Sequence, residues 1–307
     1  MNMEIIITTC IGLFVIRDKM IVDKILFKDV HDSKNALKYQ QQLVQKYPQA
    51  KTNIAYVLPK AKEYAKRFYE WNLYLTRENL KKAITRDHMI SHCINCIDEL
   101  NKAINLLVKR LREWYSLYFP ELDAKISNND AFARLVVEKD KAVLLKEFRL
   151  DESIGGELNG EDIAVIKSFA EKIAHLVKQK EENEAYLEKI MDEYCPNLKA
   201  VANTLLAAQL IAHTGSLAKL AGYPSSTIQI LGAEKALFRH MKTKARAPKH
   251  GIIINHSLIA AAKARDHGKV ARKVAAAISI AVKVDYFKGD KTIGKELRKK
   301  LEEEFGK

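Results

Sequence analysis

Apolar and polar residues follow one spacing near the N-terminus of the chain and a different one over the rest. The first 60 residues contain short runs rich in β-branched side chains, which favour strands. A helix is predicted between Asp32, whose side chain can cap a helix start, and Tyr47, which precedes Pro48. We therefore expect a small α+β domain at residues 1–75. The predicted strands are residues 5–9, 12–16, 21–27 and 53–58.

Beyond this domain the apolar residues recur every three or four positions, which is the period of a helix. Two long segments, residues 90–117 and 163–194, keep a spacing close to the 3.5-residue average of a coiled-coil seam. Each segment has one apolar stripe to bury, so we predict a long antiparallel coiled-coil hairpin within residues 76–195. The distal tip of this hairpin would comprise about residues 120–160.

The two stripes of the hairpin also suggest self-association. A stripe of this kind rarely finds cover for all of its apolar surface inside one hairpin, and a second copy of the chain can supply the missing cover. We therefore predict a homodimer that forms through the hairpin. The predicted dimerisation seam comprises Ile104, Leu107, Leu111, Ile166 and Ile173.

The last third of the chain has a helical pattern throughout. We predict an all-helical C-terminal domain at residues 196–307, and the chain as a whole is expected to be mainly α. An alanine-rich segment within this domain is typical of a helix that packs closely against its neighbours. The predicted helices of the domain span residues 197–209, 216–221, 269–284 and 291–305.

The charge of the chain is large and unevenly placed. The 307 residues include 52 Lys and Arg against 38 Asp and Glu, a net charge of +14. Residues 232–291 alone hold 14 Lys and Arg against 4 Asp and Glu, a net charge of +10. This excess favours an anionic partner such as nucleic acid, although charge alone also fits a membrane surface.

The chain shows no sign of export or of a membrane span. The apolar segment Ile5–Ile16 lacks a basic flank and a cleavage site, and it is too short to cross a bilayer as a helix. The four cysteines are too few and too scattered for a disulfide framework. We therefore expect a reducing, intracellular compartment and no membrane partner.

The stretch from residue 232 to 257 is the candidate binding site. Gly232, Ala233, Glu234 and Lys235 lie where a loop becomes a helix, so small residues permit close approach and free N–H groups can bind phosphate. The cations that follow would track phosphates along the helix and the next loop. The alternative is an ordinary helix start with a solvated basic face. The remaining candidate residues are Arg239, Lys242, Lys244, Arg246, Lys249 and His250.

No catalytic or metal site is predicted. The chain lacks a glycine-rich nucleotide-binding loop and any Ser/His/Asp or paired-carboxylate arrangement typical of an active site. His88, His92 and Cys96 share a helical face, but Cys93 and Cys96 have no second CxxC to complete four zinc ligands. We therefore expect a protein that is not an enzyme.

Five segments of the chain, in the same order, resemble the Nop-domain family of box C/D ribonucleoprotein scaffolds. The resemblance implies that residues 1–75 hold the methyltransferase fibrillarin and that the hairpin pairs two copies of the chain. It also implies that residues 196–307 grip a box C/D guide RNA at its kink-turn, together with a kink-turn-binding protein of the ribosomal L7 type. The matching segments are residues 105–108, 112–122, 232–244, 249–257 and 285–287.

The resemblance further implies a scaffold for RNA-guided 2′-O-methylation of rRNA and tRNA. This chain would bind no cofactor, because S-adenosylmethionine is expected on fibrillarin. The sequence lacks the long Lys-rich tail of eukaryotic relatives, which favours the archaeal branch of the family and an archaeal cytoplasm. Two other hypotheses remain open: an RNA-modifying enzyme that acts by itself, and a structural coiled-coil adaptor without direct RNA contact.

Overall fold

The computed structural model describes residues 4–18, 20–52 and 61–306. The chain divides into two compact units, Met1–Thr85 and Arg86–Lys307. The second unit contains both the hairpin and the C-terminal helices. The finer division at about residues 75 and 195 stays a prediction.

The first unit is a small sheet with one helix against each face. Its strands are arranged in the order β3-β2-β1-β4, with β1 antiparallel to β2 and parallel to β4. Leu43 of α1 packs with one set of buried sheet residues, and Tyr64 of α2 packs against Phe14 on another. The elements are β1 Ile5–Thr9, β2 Gly12–Arg17, β3 Met20–Leu26, α1 Ala36–Lys46, β4 Lys51–Thr52 and α2 Ala61–Ala83.

The β-branched runs therefore predict the first three strands to within one residue. The helix predicted from Asp32 begins instead as a 3-10 turn, Val30–Asn35, because the side chain of Asp29 accepts the N–H groups of His31 and Asp32. The strand predicted at residues 53–58 lies outside the described residues.

The hairpin consists of α3 and α7, and its tip contains three short helices. Asn159 fixes the start of α7, since its side-chain oxygen accepts the N–H of Asp162 at 2.8 Å. The chain breaks between α3 and the first tip helix, as the sequence indicates, with Phe119 as the N-cap of that helix and Pro120 as its first residue. The elements are α3 Arg86–Tyr115, α4 Pro120–Lys125, α5 Asn129–Glu138, α6 Lys141–Phe148 and α7 Gly160–Tyr194.

The predicted dimerisation seam lies mostly inside the chain. Its residues Ile104, Leu111, Ile166 and Ile173 are at most 1% exposed, and Leu107 is half-buried. The third helix that covers them is α5, whose Phe132 is fully buried in the same cluster. Self-association stays a prediction, and any direct contact with a second copy requires side chains that remain exposed on the hairpin.

The C-terminal helices share a core with the base of the hairpin, where Ile90, Ile94 and Ile97 are buried among them. None of the helices in residues 4–18, 20–52 and 61–306 is long and apolar enough to cross a membrane. The elements are α8 Pro196–Ala202, α9 Thr204–Thr214, α10 Leu217–Gly222, α11 Ser225–Ile230, α12 Glu234–Thr243, α13 Ser257–Ala261, α14 His267–Tyr286 and α15 Ile293–Phe305.

The single helix predicted at residues 197–209 is wrong, because the structure has two helices there. Asn203 separates α8 from α9 with a φ of +68°, and its side chain accepts the N–H of Leu206 at 3.0 Å. Asparagine tolerates positive φ better than most residues and is also a good helix cap. The same residue therefore ends one helix and begins the next.

Candidate nucleic-acid interface

The turn before α12 is held by a carboxylate of the chain itself. Gly232 has a φ of +82°, and a Cβ at this position would lie 2.5 Å from Cγ1 of Ile252. Oε1 of Glu234 accepts the N–H of Gly232 at 2.7 Å and lies 2.8 Å from Nε2 of His213. Burial raises the pKa of Glu234, but the hydrogen bonds from Gly232 and His213 outweigh burial and lower it. Glu234 therefore organises this turn, while Ala233, the N-cap of α12, makes no side-chain cap.

Helix α12 carries an exposed cationic face. Lys235, Arg239 and Lys242 follow at intervals of four and three residues, so they line one side of the helix. All three are exposed, and none of the ion pairs among the described residues uses them. The helix has no buried residue, and Phe238 and Met241 are also exposed, by 59% and 69%. It therefore presents cations beside a small apolar surface.

The loop after α12 begins at Lys244, which ends the helix with a φ of +55°. Nδ1 of His240 is hydrogen-bonded to the carbonyl of Ala245 and fixes the first step of this loop. Lys244 and Arg246 are both exposed. The cationic surface therefore continues beyond the helix, as the sequence predicts.

The end of the loop is clamped to α11. Nε2 of Gln229 donates to the carbonyl of Lys249 at 2.7 Å, and the N–H of Gly251 donates to the carbonyl of Gln229 at 2.9 Å. A Cβ on Gly251 would overlap the carbonyl of Leu231, so only glycine fits there. The loop therefore has a fixed path at this end.

Lys249 and His250 are less free than the cations of α12. Both are half-buried, and Nζ of Lys249 donates to the carbonyl of Ala264 at 2.8 Å. The ring of His250 lies 5.5 Å from that of His267 at the start of α14. Burial, His267 and Lys249 together lower the pKa of His250. At neutral pH His250 is therefore suited to stacking or neutral hydrogen bonding rather than to a charge contact.

A family model described as "snoRNA binding domain, fibrillarin" (Nop) matches residues 96–307. The chain belongs to the Nop family. An uncharacterised NOP5 family protein of Methanocaldococcus jannaschii is 41% identical over 256 residues, which are 78% of this chain and 61% of that protein. Nucleolar protein 56 of Homo sapiens is 36% identical over 251 residues, 74% of this chain and 42% of that protein.

Nucleolar protein 58 of Aspergillus clavatus is 40% identical over 228 residues, which are 69% of this chain and 38% of that protein. The chain thus spans less than two thirds of the length of these Nop relatives. A crystal structure of a fibrillarin/Nop5p complex contains a chain with 20% identity and a TM-score of 0.45, with 97% of this chain and 99% of that chain covered.

The matched Nop region contains further cations beyond the predicted binding residues. Eight of the 14 Lys and Arg in residues 232–291 lie beyond residue 257. Four of them surround the start of α14, and the contact between His250 and His267 joins this group to the predicted site. The charge count was the signal that could have found them. These four exposed residues are Lys263, Arg265, Lys269 and Arg272.

The described part of the chain, which lacks residues 53–60 among others, contains no group of three or more His, Cys, Asp or Glu that could hold a metal ion. Cys93 instead donates from Sγ to the carbonyl of Asn183 at 3.4 Å, and Nδ2 of Asn183 lies 3.5 Å from Sγ of Cys96. The two cysteines thus link α3 to α7.

Proposed function

We propose that the chain is a non-catalytic scaffold of an archaeal box C/D ribonucleoprotein. It would join fibrillarin to a guide RNA and to a kink-turn-binding protein of the ribosomal L7 type, for 2′-O-methylation of rRNA and tRNA. The observation that carries this proposal is the exposed cationic face of α12, whose cations have no intrachain ion pair among the described residues. This helix lies within the match to a family described as snoRNA-binding.

The RNA and its protein partner would meet at α12. Lys235, Arg239 and Lys242 suit the phosphates of a bent RNA backbone, since cations on one helical face can follow successive phosphates. Phe238 and Met241 lie beside them and offer an exposed apolar surface. Such a surface next to a cationic face fits a protein that is bound to the same RNA.

Fibrillarin would bind the first unit. Strand β3 is an edge strand of the sheet, and alternate residues along it face outwards. Among them Met20, Val22 and Leu26 are 68%, 47% and 36% exposed. An edge strand that exposes large apolar residues is suited to contact with another protein.

A second copy would bind the hairpin through a groove, not through the buried seam. The groove has a volume of about 510 Å³ and is lined by Trp114, Leu117 and Phe169, with Arg110 and Glu113 at its side. Leu117 is 61% exposed, and the rings of Trp114 and Phe169 lie 6.4 Å apart. Apolar side chains flanked by opposite charges fit a self-complementary interface.

Catalysis and the S-adenosylmethionine cofactor are assigned to fibrillarin, and the assembly to the archaeal cytoplasm. The test is reconstitution of methylation from this chain, fibrillarin, the kink-turn protein and a box C/D RNA, with each component left out in turn. We expect 2′-O-methylation of a guide-matched RNA only when all four are present. Methylation by this chain without fibrillarin would favour an RNA-modifying enzyme instead.

An RNA-binding measurement distinguishes the scaffold from a coiled-coil adaptor without RNA contact. The scaffold hypothesis expects this chain to shift a preformed complex of kink-turn RNA and its partner protein. The adaptor hypothesis expects the chain to bind fibrillarin but to leave that complex unshifted at every protein concentration.

A further inference from the structure

A cleft opens beside the turn that precedes α12. It has a volume of about 540 Å³ and lies between α3, α9 and the 3-10 turn Ile252–Asn255. Its size is within the range of sites that hold small ligands or single nucleotides. No local sequence pattern predicts this cleft, because α3 lies more than 100 residues from the other two walls in the sequence.

Four polar side chains line this cleft and have no partner in the described part of the chain. Asn95, Asp98, Gln209 and Asn255 line it, and no side-chain hydrogen bond or ion pair within residues 4–18, 20–52 and 61–306 uses any of them. The apolar part of the wall includes Ala212 and Ile252, which are half-buried. Free donors and acceptors above an apolar wall suit a flat heterocycle with polar edges.

The charge of the lining decides which part of an RNA fits. Among the described residues the lining contains no Lys or Arg, and its only carboxylate belongs to Asp98. A phosphate would be repelled there, whereas the N–H groups of a base edge can donate to the carboxylate and the amide oxygens. Protein recognition of single-stranded RNA commonly uses such contacts to the edges of unstacked bases.

Two residues that line the cleft lie next to the turn before α12. Ile252 lines the cleft and is also the side chain that a Cβ on Gly232 would meet. His213 lines the cleft and bonds Glu234, which in turn accepts the N–H of Gly232. A nucleotide next to the phosphates held by α12 would therefore lie within reach of the cleft.

We propose that this cleft binds one unpaired nucleobase of the RNA whose phosphates contact α12. The proposal rests on the proposed function, since it requires an RNA at α12. Asp98 would accept from the base edge and Gln209 would donate to it, while the half-buried Ile252 would contact the face of the base. The cleft would thus read a base, while α12 reads only the backbone.

The test measures binding of the full chain to a preformed complex of box C/D RNA and kink-turn protein over a salt series. The variants are Asp98→Asn and Gln209→Ala, and Glu99→Gln is the matched control. Glu99 is the neighbouring acid on α3, exposed and outside the cleft. Each protein is also titrated with RNAs that carry a single abasic site at one unpaired position at a time.

We expect each cleft variant to bind the intact RNA roughly tenfold more weakly, with an unchanged salt slope, because a base contact and not a phosphate contact is lost. An abasic site at one position of the RNA should weaken binding by the parent chain to a similar extent. The parent chain and both cleft variants should then bind that RNA with equal affinity. Glu99→Gln should bind as well as the parent or slightly better, since it removes a negative charge near RNA.

Two outcomes separate the proposals. In the first, the parent chain binds, but Asp98→Asn binds as tightly as Glu99→Gln or no abasic site changes the affinity. The cleft is then only a solvated surface, and this proposal is overturned while the proposed function stands. If the parent chain does not bind the RNA complex at any salt concentration, the proposed function fails, and the cleft proposal fails with it. Unchanged melting temperatures of the variants exclude a folding defect.

Discussion

The hairpin and helix α12 both carry a regular stripe of side chains, but the hairpin stripe is buried and the α12 stripe is exposed. In the hairpin the apolar stripe is covered by α5, so that Ile104 and Ile173 are at most 1% exposed. In α12 the stripe is cationic, and the helix has no buried residue at all. The hairpin stripe therefore contributes to stability, whereas the α12 stripe is available for a partner.

This difference shows what periodicity can establish. A spacing of three to four residues predicts a helix and the residues that share its face, but it does not show what covers that face. The hairpin stripe indicated a dimer contact, yet three helices of the same chain cover most of it. Only tertiary packing distinguishes a core from an interface.

The largest expected effect comes from a charge placed inside the hairpin. Ile104→Glu would place an unpaired carboxylate in the buried cluster that contains Phe132 and remove a core side chain. We expect the free energy of unfolding to fall by at least about 3 kcal/mol. Urea denaturation of the full chain, followed by circular dichroism, measures the loss. An unchanged midpoint would contradict the packing of α5 over the stripe.

The matched change on the exposed side of the same helix should separate stability from self-association. Leu106 is 71% exposed and lies beside the hairpin groove. We expect Leu106→Glu to change the free energy of unfolding by less than about 0.5 kcal/mol. It should nevertheless raise the dissociation constant of the proposed dimer in sedimentation equilibrium. Loss of stability without any change in association would count against the groove as the dimer contact.

The α12 stripe should show the reverse behaviour. Replacing Lys235, Arg239 and Lys242 together by Ala should lower the slope of log K against log salt by about 2–3, since each phosphate contact contributes roughly 0.7–0.9. The melting temperature should stay the same, because these side chains are exposed and have no ion pair among the described residues. The measurement is binding to the preformed complex of kink-turn RNA and its protein across a salt series.

The control for this variant removes the same charge elsewhere. Lys102, Lys172 and Lys189 are exposed on the hairpin and take part in none of the ion pairs found in the described residues. Their triple replacement by Ala should leave the salt slope nearly unchanged. Equal slopes for the two triple variants would mean that α12 contributes only general positive charge.

A smaller effect is expected from a larger side chain at Gly232, in the turn before α12. Gly232→Val would force a β-branched residue to a φ of +82° and bring its Cβ close to Ile252, at a cost of about 1–2 kcal/mol. RNA affinity should fall while the salt slope stays the same, because the turn moves but no cation is lost. Gly222→Ala is the control, since among the described residues a Cβ at that position meets no atom within 4 Å apart from its chain neighbours and the backbone of its own helix. A lower slope for Gly232→Val would contradict this mechanism.

The elements that the sequence predicts well are those with a local cause. Runs of β-branched residues indicate β1 to β3, and Asn159 marks the start of α7. The sequence pattern does not indicate the break at Asn203, because apolar residues continue through it and the helices are separated by its positive φ. The link between Glu234 and His213, 21 residues apart, exists only after α9 and α12 have packed.

The smallest expected effect is on the pH dependence of the free energy of unfolding, and it comes from His256, where the 232–257 stretch enters the core. His256 is fully buried, and its Nε2 lies 2.9 Å from the carbonyl of Val201. Burial is the main cause that lowers the pKa of His256. Arg298 acts in the same direction, while the hydrogen bond to Val201 and the charge of Glu302 oppose it.

A histidine with a lowered pKa in the folded state is neutral there, while the unfolded chain binds a proton below about pH 6.5. Its contribution to stability is therefore complete above that pH and is lost as the pH falls toward the folded pKa. His256→Gln keeps a donor for Val201 but cannot titrate. We measure the free energy of unfolding by urea denaturation between pH 7.5 and 5, a range of roughly one unit or more on each side of the usual histidine pKa. We expect the free energy of unfolding of His256→Gln to fall less steeply with falling pH than that of the parent chain.

His250 also has a lowered pKa and titrates in both proteins, so only the difference between the two slopes reports on His256. Parallel slopes would show that His256 binds protons equally in the folded and unfolded chain. Burial would then not lower the pKa of His256.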